Sequence, residues 1–116
     1  MSTDILAVAD RDVSAAVRFI RRYPNRMIQV DDVVGATNVS RRVLEKRFKA
    51  ILRRSVYQEI RRVRVSYIVQ LLVGSNLSIT EIAVKAGFDG VEHVSRYFRK
   101  ETGASLREYR KRHTPR

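Results

Sequence analysis

Ser78-Ile79-Thr80-Glu81-Ile82-Ala83-Val84-Lys85-Ala86-Gly87-Phe88, continued by Asp89 to Phe98, reads as two helices joined by a tight turn. Ser78 and Glu81 have the spacing of a reciprocal cap, in which each side chain accepts the other's backbone N–H. Ile79, Ile82, Ala83 and Ala86 then recur at helical spacing on one face. Gly87 suits a left-handed helix end, and Phe88 is the apolar residue just past the turn. Asp89, with Glu92 three residues on, is expected to cap a second helix with Val91, Val94, Tyr97 and Phe98 on its apolar face. Small Ala83 lets the second helix cross closely over the first. This is the local pattern of a helix-turn-helix, whose second helix enters the DNA major groove.

The pattern occurs twice. Residues 30–58 resemble residues 79–108: Val30 matches Ile79, Asp32 matches Glu81, Val33 matches Ile82, Asn38 matches Gly87 and Val39 matches Phe88. One extra residue near Asp89-Gly90 shifts the offset, after which Leu44 matches Val94, Phe48 matches Phe98 and Ser55 matches Ser105. Any two helical hairpins share apolar periodicity. Periodicity alone does not explain a shared turn position and a repeated cap, so the reading is a duplicated unit.

The remaining elements follow from caps and breakers. Asp10 caps a helix with Val13, Ala16, Val17 and Ile20 on one face, ended by Tyr23-Pro24-Asn25. Val30 to Ala36 is a short helix with Asp31 and Asp32 in its first turn. Asn38 is expected to make the next turn in a left-handed conformation. Ser40 caps a helix from Arg41 to about Leu52, with Val43, Leu44, Phe48 and Ile51 inward. Ser55 and Gln58 form another cap and open a long helix to about Val73, with Val56, Ile60, Val63, Tyr67 and Leu71 along one stripe. Gly74-Ser75-Asn76 breaks it. Gly103 ends the later recognition helix, and Ser105 with Glu108 caps a last short one. No segment alternates with period two, so the expected fold is all-α with about seven helices: two helix-turn-helix subdomains joined by a long central helix. The expected division is a lead-in over 1–9, a first subdomain over 10–54, a connecting helix over 55–75 and a second subdomain over 76–116.

Composition narrows the partner. The 116 residues carry 24 Lys+Arg against 12 Asp+Glu, a net charge of +12, which favours a polyanion. Asp4, Asp10, Asp12, Asp31 and Asp32 precede the Arg-rich stretches, so the basic excess is directional. Hydrophobic residues make up 44%, enough for packed cores. Cysteine is absent and only His93 and His113 are present, which removes disulfides and thiolate metal sites. There is no Gly-rich phosphate loop and no metal-ligand cluster. The expectation is therefore no enzyme, no catalytic residue, no cofactor and no metal. No apolar run approaches the roughly 18 residues of a membrane span, and the N-terminus does not resemble a signal peptide.

Ile79-Thr80-Glu81-Ile82-Ala83, Ala86-Gly87-Phe88, Tyr97-Phe98-Arg99-Lys100, Gly103 and Tyr109-Arg110 together resemble the AraC/XylS family of bacterial transcription regulators. The resemblance covers about residues 12–112. The run from Val39 to Lys49 is more specifically similar to the xylose-operon regulator branch. The resemblance implies two helix-turn-helix subdomains, each placing a helix in a major groove of a double-stranded DNA operator. It also implies an activator in the bacterial cytoplasm, at the nucleoid, with RNA polymerase as a further partner and a sugar of the xylose kind as effector. The isolated domain is expected to be monomeric, away from membranes, with its sensor domain absent from this stretch. The sequence departs from the family pattern at Val34 and Ile68, where small residues are usual. It departs again at Asn38, where Gly is commoner, and at Arg53, which replaces the helix-ending Gly matched by Gly103.

Helical spacing puts Arg42, Glu45, Lys46 and Lys49 opposite the inward face of the first recognition helix. By resemblance, Arg42, Glu45 and Lys46 are its base-facing residues. Arg42 or Lys46 would donate to guanine O6 and N7, and Glu45 would accept from cytosine N4. The competing reading is a solvated face on which Glu45 pairs with Lys49 or Arg41. The matching positions in the second recognition helix are Val91, Glu92, Ser95 and Arg96. Val91 suits a thymine methyl, Arg96 a base edge and Ser95 a base or a phosphate, while the competing reading of Glu92 is that it only completes the Asp89 cap. Arg41, Lys49, Arg53, Arg54, Arg99 and Lys100 are the phosphate-contact candidates. His93 is read as a surface residue and not a metal ligand. The alternative for the whole chain is a non-specific or RNA-binding basic helical module. That module needs the charge but not two matched turns, and for single-stranded RNA it needs more exposed aromatic residues.

Overall fold

A computed structural model describes residues 10–113, and among them lie seven helices and no strand. They are α1 (Arg11–Arg22), α2 (Val30–Gly35), α3 (Arg41–Leu52), α4 (Val56–Gly74), α5 (Ile79–Lys85), α6 (Val91–Thr102) and α7 (Leu106–His113). The all-α expectation is met. The expected lead-in over 1–9 lies outside the described residues. Contacts divide the chain into two units. The first runs to Pro24 and resumes over Ile28–Val63; the second comprises Asn25–Met27 and the chain from Arg64 onward.

In the first unit, Asp10 Oδ1 accepts from the N–H groups of Asp12 and Val13 at 3.0 Å and starts α1. Val13, Ala16, Val17 and Ile20 of α1 pack with Val30 and Val33 of α2, Leu44, Phe48 and Leu52 of α3, and Val56 and Ile60 of α4. Ser40 Oγ caps α3 through Val43 N–H at 3.3 Å. Ser55 and Gln58 exchange hydrogen bonds of 2.8 and 3.0 Å at the start of α4.

Three expectations need correction here. Asn38 does not adopt the left-handed conformation; among the described residues the only non-glycine with positive φ is Arg53. The Asn38 N–H instead donates to Asp12 Oδ1 at 3.0 Å, which ties the α2–α3 turn to α1. Val43 is exposed, Ile51 is half-buried, and Leu52 takes the inward place at the end of α3. Helix α4 has no single stripe, because it supplies two cores: Val56 and Ile60 go to the first, and Ile68, Leu71 and Leu72 to the second. Val63 and Tyr67 are only half-buried.

In the second unit, Ser78 and Glu81 form the expected reciprocal cap at 2.8 and 3.1 Å. Ile82, Ala83, Ala86 and Phe88 pack with Val94 and Phe98 of α6, Leu106 of α7, and the second half of α4. Gly87 has φ 82, and a Cβ there would collide with the backbone carbonyl of Asn25. The turn therefore needs glycine for conformation and for space. Asp89 does not cap α6. Gly90 is the N-cap, with extended backbone and no side-chain bond, and the Asp89 carboxylate is fully exposed. The extra residue moves the helix start to Val91, beyond the reach of an Asp89 cap. Ser105 and Glu108 start α7 with bonds of 2.8 and 3.0 Å. Arg110 closes the end of α4 by donating to the carbonyls of Leu72 and Leu71 at 2.8 and 3.4 Å.

Candidate nucleic-acid interface

Each recognition helix owes its orientation to two buried residues one turn apart, Leu44 and Phe48 in α3, Val94 and Phe98 in α6. All four are fully buried, so the opposite face of each helix is held outward. On α3 that face carries Arg42, Lys46 and Lys49, all exposed. Arg42 and Lys46 lie one turn apart and make no ion pair among the described residues. One guanidinium and two ammoniums at that spacing match the acceptor edge of guanine and the phosphates that flank a groove.

Of the other first-helix candidates, Arg41, Glu45 and Arg54 are already engaged. Arg41 pairs with Asp31 at 3.1 Å, both side chains largely in solvent, so the pair is weak and salt-sensitive. Glu45 pairs with neither Lys49 nor Arg41. It is half-buried, and its Oε1 accepts the backbone N–H of Val56 at 3.2 Å. Arg53 is exposed at the C-cap with φ 63. Arg54 turns inward: its Nε donates to Glu59 Oε1 at 2.5 Å and its Nη1 to the Leu52 carbonyl at 3.3 Å.

On α6, Val91, Glu92 and Arg96 are exposed and Ser95 is half-buried. Arg96 makes no ion pair among the described residues. Arg99 and Lys100 are exposed in the last turn. The hydrogen bonds of Ser105 hold the Glu108 carboxyl below its ordinary value, and the charges of Arg99 and Arg112 add to the effect. His93 packs edge-on against Phe88 with ring centroids 5.0 Å apart. No group of residues able to hold a metal exists among the described residues. None of the described helices is long and apolar enough to cross a membrane.

Sequence reasoning missed the buried charges. Glu59 is fully buried and holds Arg54 and Arg62, the latter through bonds of 2.8 and 2.9 Å. Burial opposes ionisation of Glu59, but the hydrogen bonds and charges of Arg62 and Arg54 outweigh it and hold the carboxyl below its ordinary value. The available signal was position: Glu59 sits three residues after Val56 and one before Ile60, on the core side of α4. Arg64 is 3% exposed. It donates to the carbonyls of Arg26 and Ala86 and lies 4.4 Å from the centre of the Phe88 ring.

A family model described as a helix-turn-helix domain matches residues 33–112, from within α2 through most of α7, and so takes in both recognition helices and both outward faces. The chain belongs to the AraC-type helix-turn-helix family. Among AraC-type relatives, the xylose operon regulatory protein of Escherichia coli (strain K12) is 32% identical over 109 residues, covering 94% of this chain and 28% of that protein. The chain thus spans little more than a quarter of the length of the xylose regulators it matches. The C-terminal domain of AraT, a response regulator from Geobacillus stearothermophilus, superposes with a TM-score of 0.81 at 26% identity over 92% of this chain and 89% of that one. The DNA-binding domain of AdpA, a global transcriptional factor solved with a target DNA, gives 0.72 at 25% identity over 84% and 87%.

Proposed function

We propose that this AraC-type chain binds double-stranded DNA sequence-specifically, as the DNA-binding part of a bacterial transcriptional activator. Each unit lays its recognition helix, α3 or α6, in a major groove. The observation that carries the reading is the pair of outward faces, Arg42 with Lys46 and Arg96 with Glu92, on helices seated by the same two-residue anchor in a duplicated helix-turn-helix. Arg42, Lys46 and Arg96 read base edges, Val91 meets a thymine methyl and Glu92 completes the second reading face, with Ser95 at its margin beside α7. Lys49, Arg53, Arg99 and Lys100 take phosphates, as does Arg41 once released from Asp31. A sugar-responsive operon and contact with RNA polymerase at the nucleoid complete the proposal. The sugar rests on the names of the xylose relatives alone. A non-specific or RNA-binding module is disfavoured, because it has no need of two matched units.

The test compares two arginines on one helix. With a duplex selected from random sequences, Arg96→Ala is expected to weaken binding by about 1–3 kcal/mol and to relax preference at one base position. Arg99→Ala is expected to weaken all duplexes alike. Loss of only sequence-independent affinity in Arg96→Ala would overturn the assignment of the reading face.

A further inference from the structure

Glu45 stands in the middle of α3, on the helix that the proposed function uses as a reader, yet its carboxylate is directed at the chain's own backbone. Val56 is the first residue of α4 and is fully buried. An N–H at that position has no partner within its helix, and burying it unbonded is costly. The neighbouring cap does not serve it, because Ser55 Oγ is taken by Gln58 N–H at 3.0 Å. Glu45 Oε1, at 3.2 Å, supplies the acceptor. The bond joins α3 to α4 across 11 residues of chain. It also sets a negative charge at the positive end of a helix.

The internal repeat gives an independent indication. With the offset that matches Leu44 to Val94 and Ser55 to Ser105, Glu45 corresponds to Ser95 and Val56 to Leu106. In the second unit Ser95 and Leu106 line one groove, between α6 and the start of α7. The same repeat position therefore faces the start of the following helix in both units. In the first unit the side chain there is long enough and charged enough to bond it.

We propose that Glu45 is a positioning residue that anchors recognition helix α3 to the start of α4, and that it does not read a base. The proposal rests on the DNA-reading role of α3 and refines its reading set to Arg42 and Lys46. The carboxylate is aligned by a buried amide, so its loss loosens the seat of α3 without removing any base-specific contact.

The experiment uses the whole 116-residue chain with Glu45→Ala and Glu45→Gln. Glu45→Gln removes the charge but keeps an acceptor oxygen. Two quantities are measured: amide exchange at Val56, and the ratio of affinities for a selected duplex and its scrambled counterpart. The ratio is insensitive to the removed charge, which affects every duplex equally. Glu45→Ala is expected to speed Val56 exchange by roughly tenfold, the equivalent of one net hydrogen bond, and Glu45→Gln to preserve protection. Both variants are expected to keep the affinity ratio within about twofold of the parent, far less than the discrimination carried by a bidentate base contact. Unchanged Val56 exchange in Glu45→Ala would overturn the anchor. A ratio reduced by roughly fivefold or more, with altered preference at one base pair, would restore Glu45 as a base reader. A parent chain with no sequence preference would defeat the DNA-reading role instead, and Val56 exchange would still decide the anchor.

Discussion

Gly87 and Gly103 offer a matched pair of substitutions in one unit. Their backbones are nearly the same, with φ 82 and φ 79. Alanine at either must adopt a left-handed conformation, at about 1–2 kcal/mol. The surroundings differ. A Cβ on Gly103 meets nothing within 4 Å. A Cβ on Gly87 collides with the carbonyl oxygen of Asn25 and lies 2.9 Å from its carbon. Those are backbone atoms, so no side-chain rotation relieves the contact, and forced displacement of packed atoms adds about 1–3 kcal/mol. Gly103→Ala is therefore expected to cost about 1–2 kcal/mol and Gly87→Ala about 2–5 kcal/mol. Urea unfolding of the two variants beside the parent measures both, with stability read from the midpoint at a common slope. Equal losses would show that the collision is absent and would refute the close approach of Asn25 to the α5–α6 turn.

Arg53→Gly is expected to stabilise the chain by up to about 1 kcal/mol, since glycine adopts the left-handed C-cap without strain; unfolding midpoints check it. If Arg53 meets a phosphate, the same variant flattens the dependence of log K on log salt by about 0.9. Glu59→Gln tests the buried cluster through pH. A carboxyl with a lowered folded value gives stability that is complete above the ordinary value, about 4.3, and is lost as pH falls through the lower folded one. The parent is therefore expected to lose stability in acid below about pH 4.3, and Glu59→Gln to be less stable at neutral pH with a shallower acid decline. Parallel pH profiles of the two proteins would show that Glu59 is not held ionised by Arg54 and Arg62.

What could be read from the sequence was what local chemistry decides. The caps at Ser78–Glu81, Ser55–Gln58 and Ser105–Glu108 need only residues three apart, and each forms. The left-handed turn at Gly87 follows from glycine before an apolar residue. Distant partners were not readable. Asn38 looked suited to a left-handed turn, but Asp12, 26 residues away, takes its N–H. Arg54 looked like a free cation beyond a recognition helix, yet it is turned inward to Glu59. The single stripe assumed for α4 failed because one helix serves two cores, which periodicity averages away. The inward face of α3 follows Leu44, Phe48 and Leu52 at four-residue spacing, which leaves Val43 exposed and Ile51 half-buried at its edge.

If two outward helix faces read sequence, one ratio of affinities shows it. A duplex is selected from a random pool with the 116-residue chain, and its Kd is compared with that of a scrambled duplex at one salt concentration near physiological. The expected preference for the selected duplex is about a thousandfold or more. A ratio near one, with steep salt dependence on both duplexes, would contradict the claim and leave only a basic helical module that binds any polyanion.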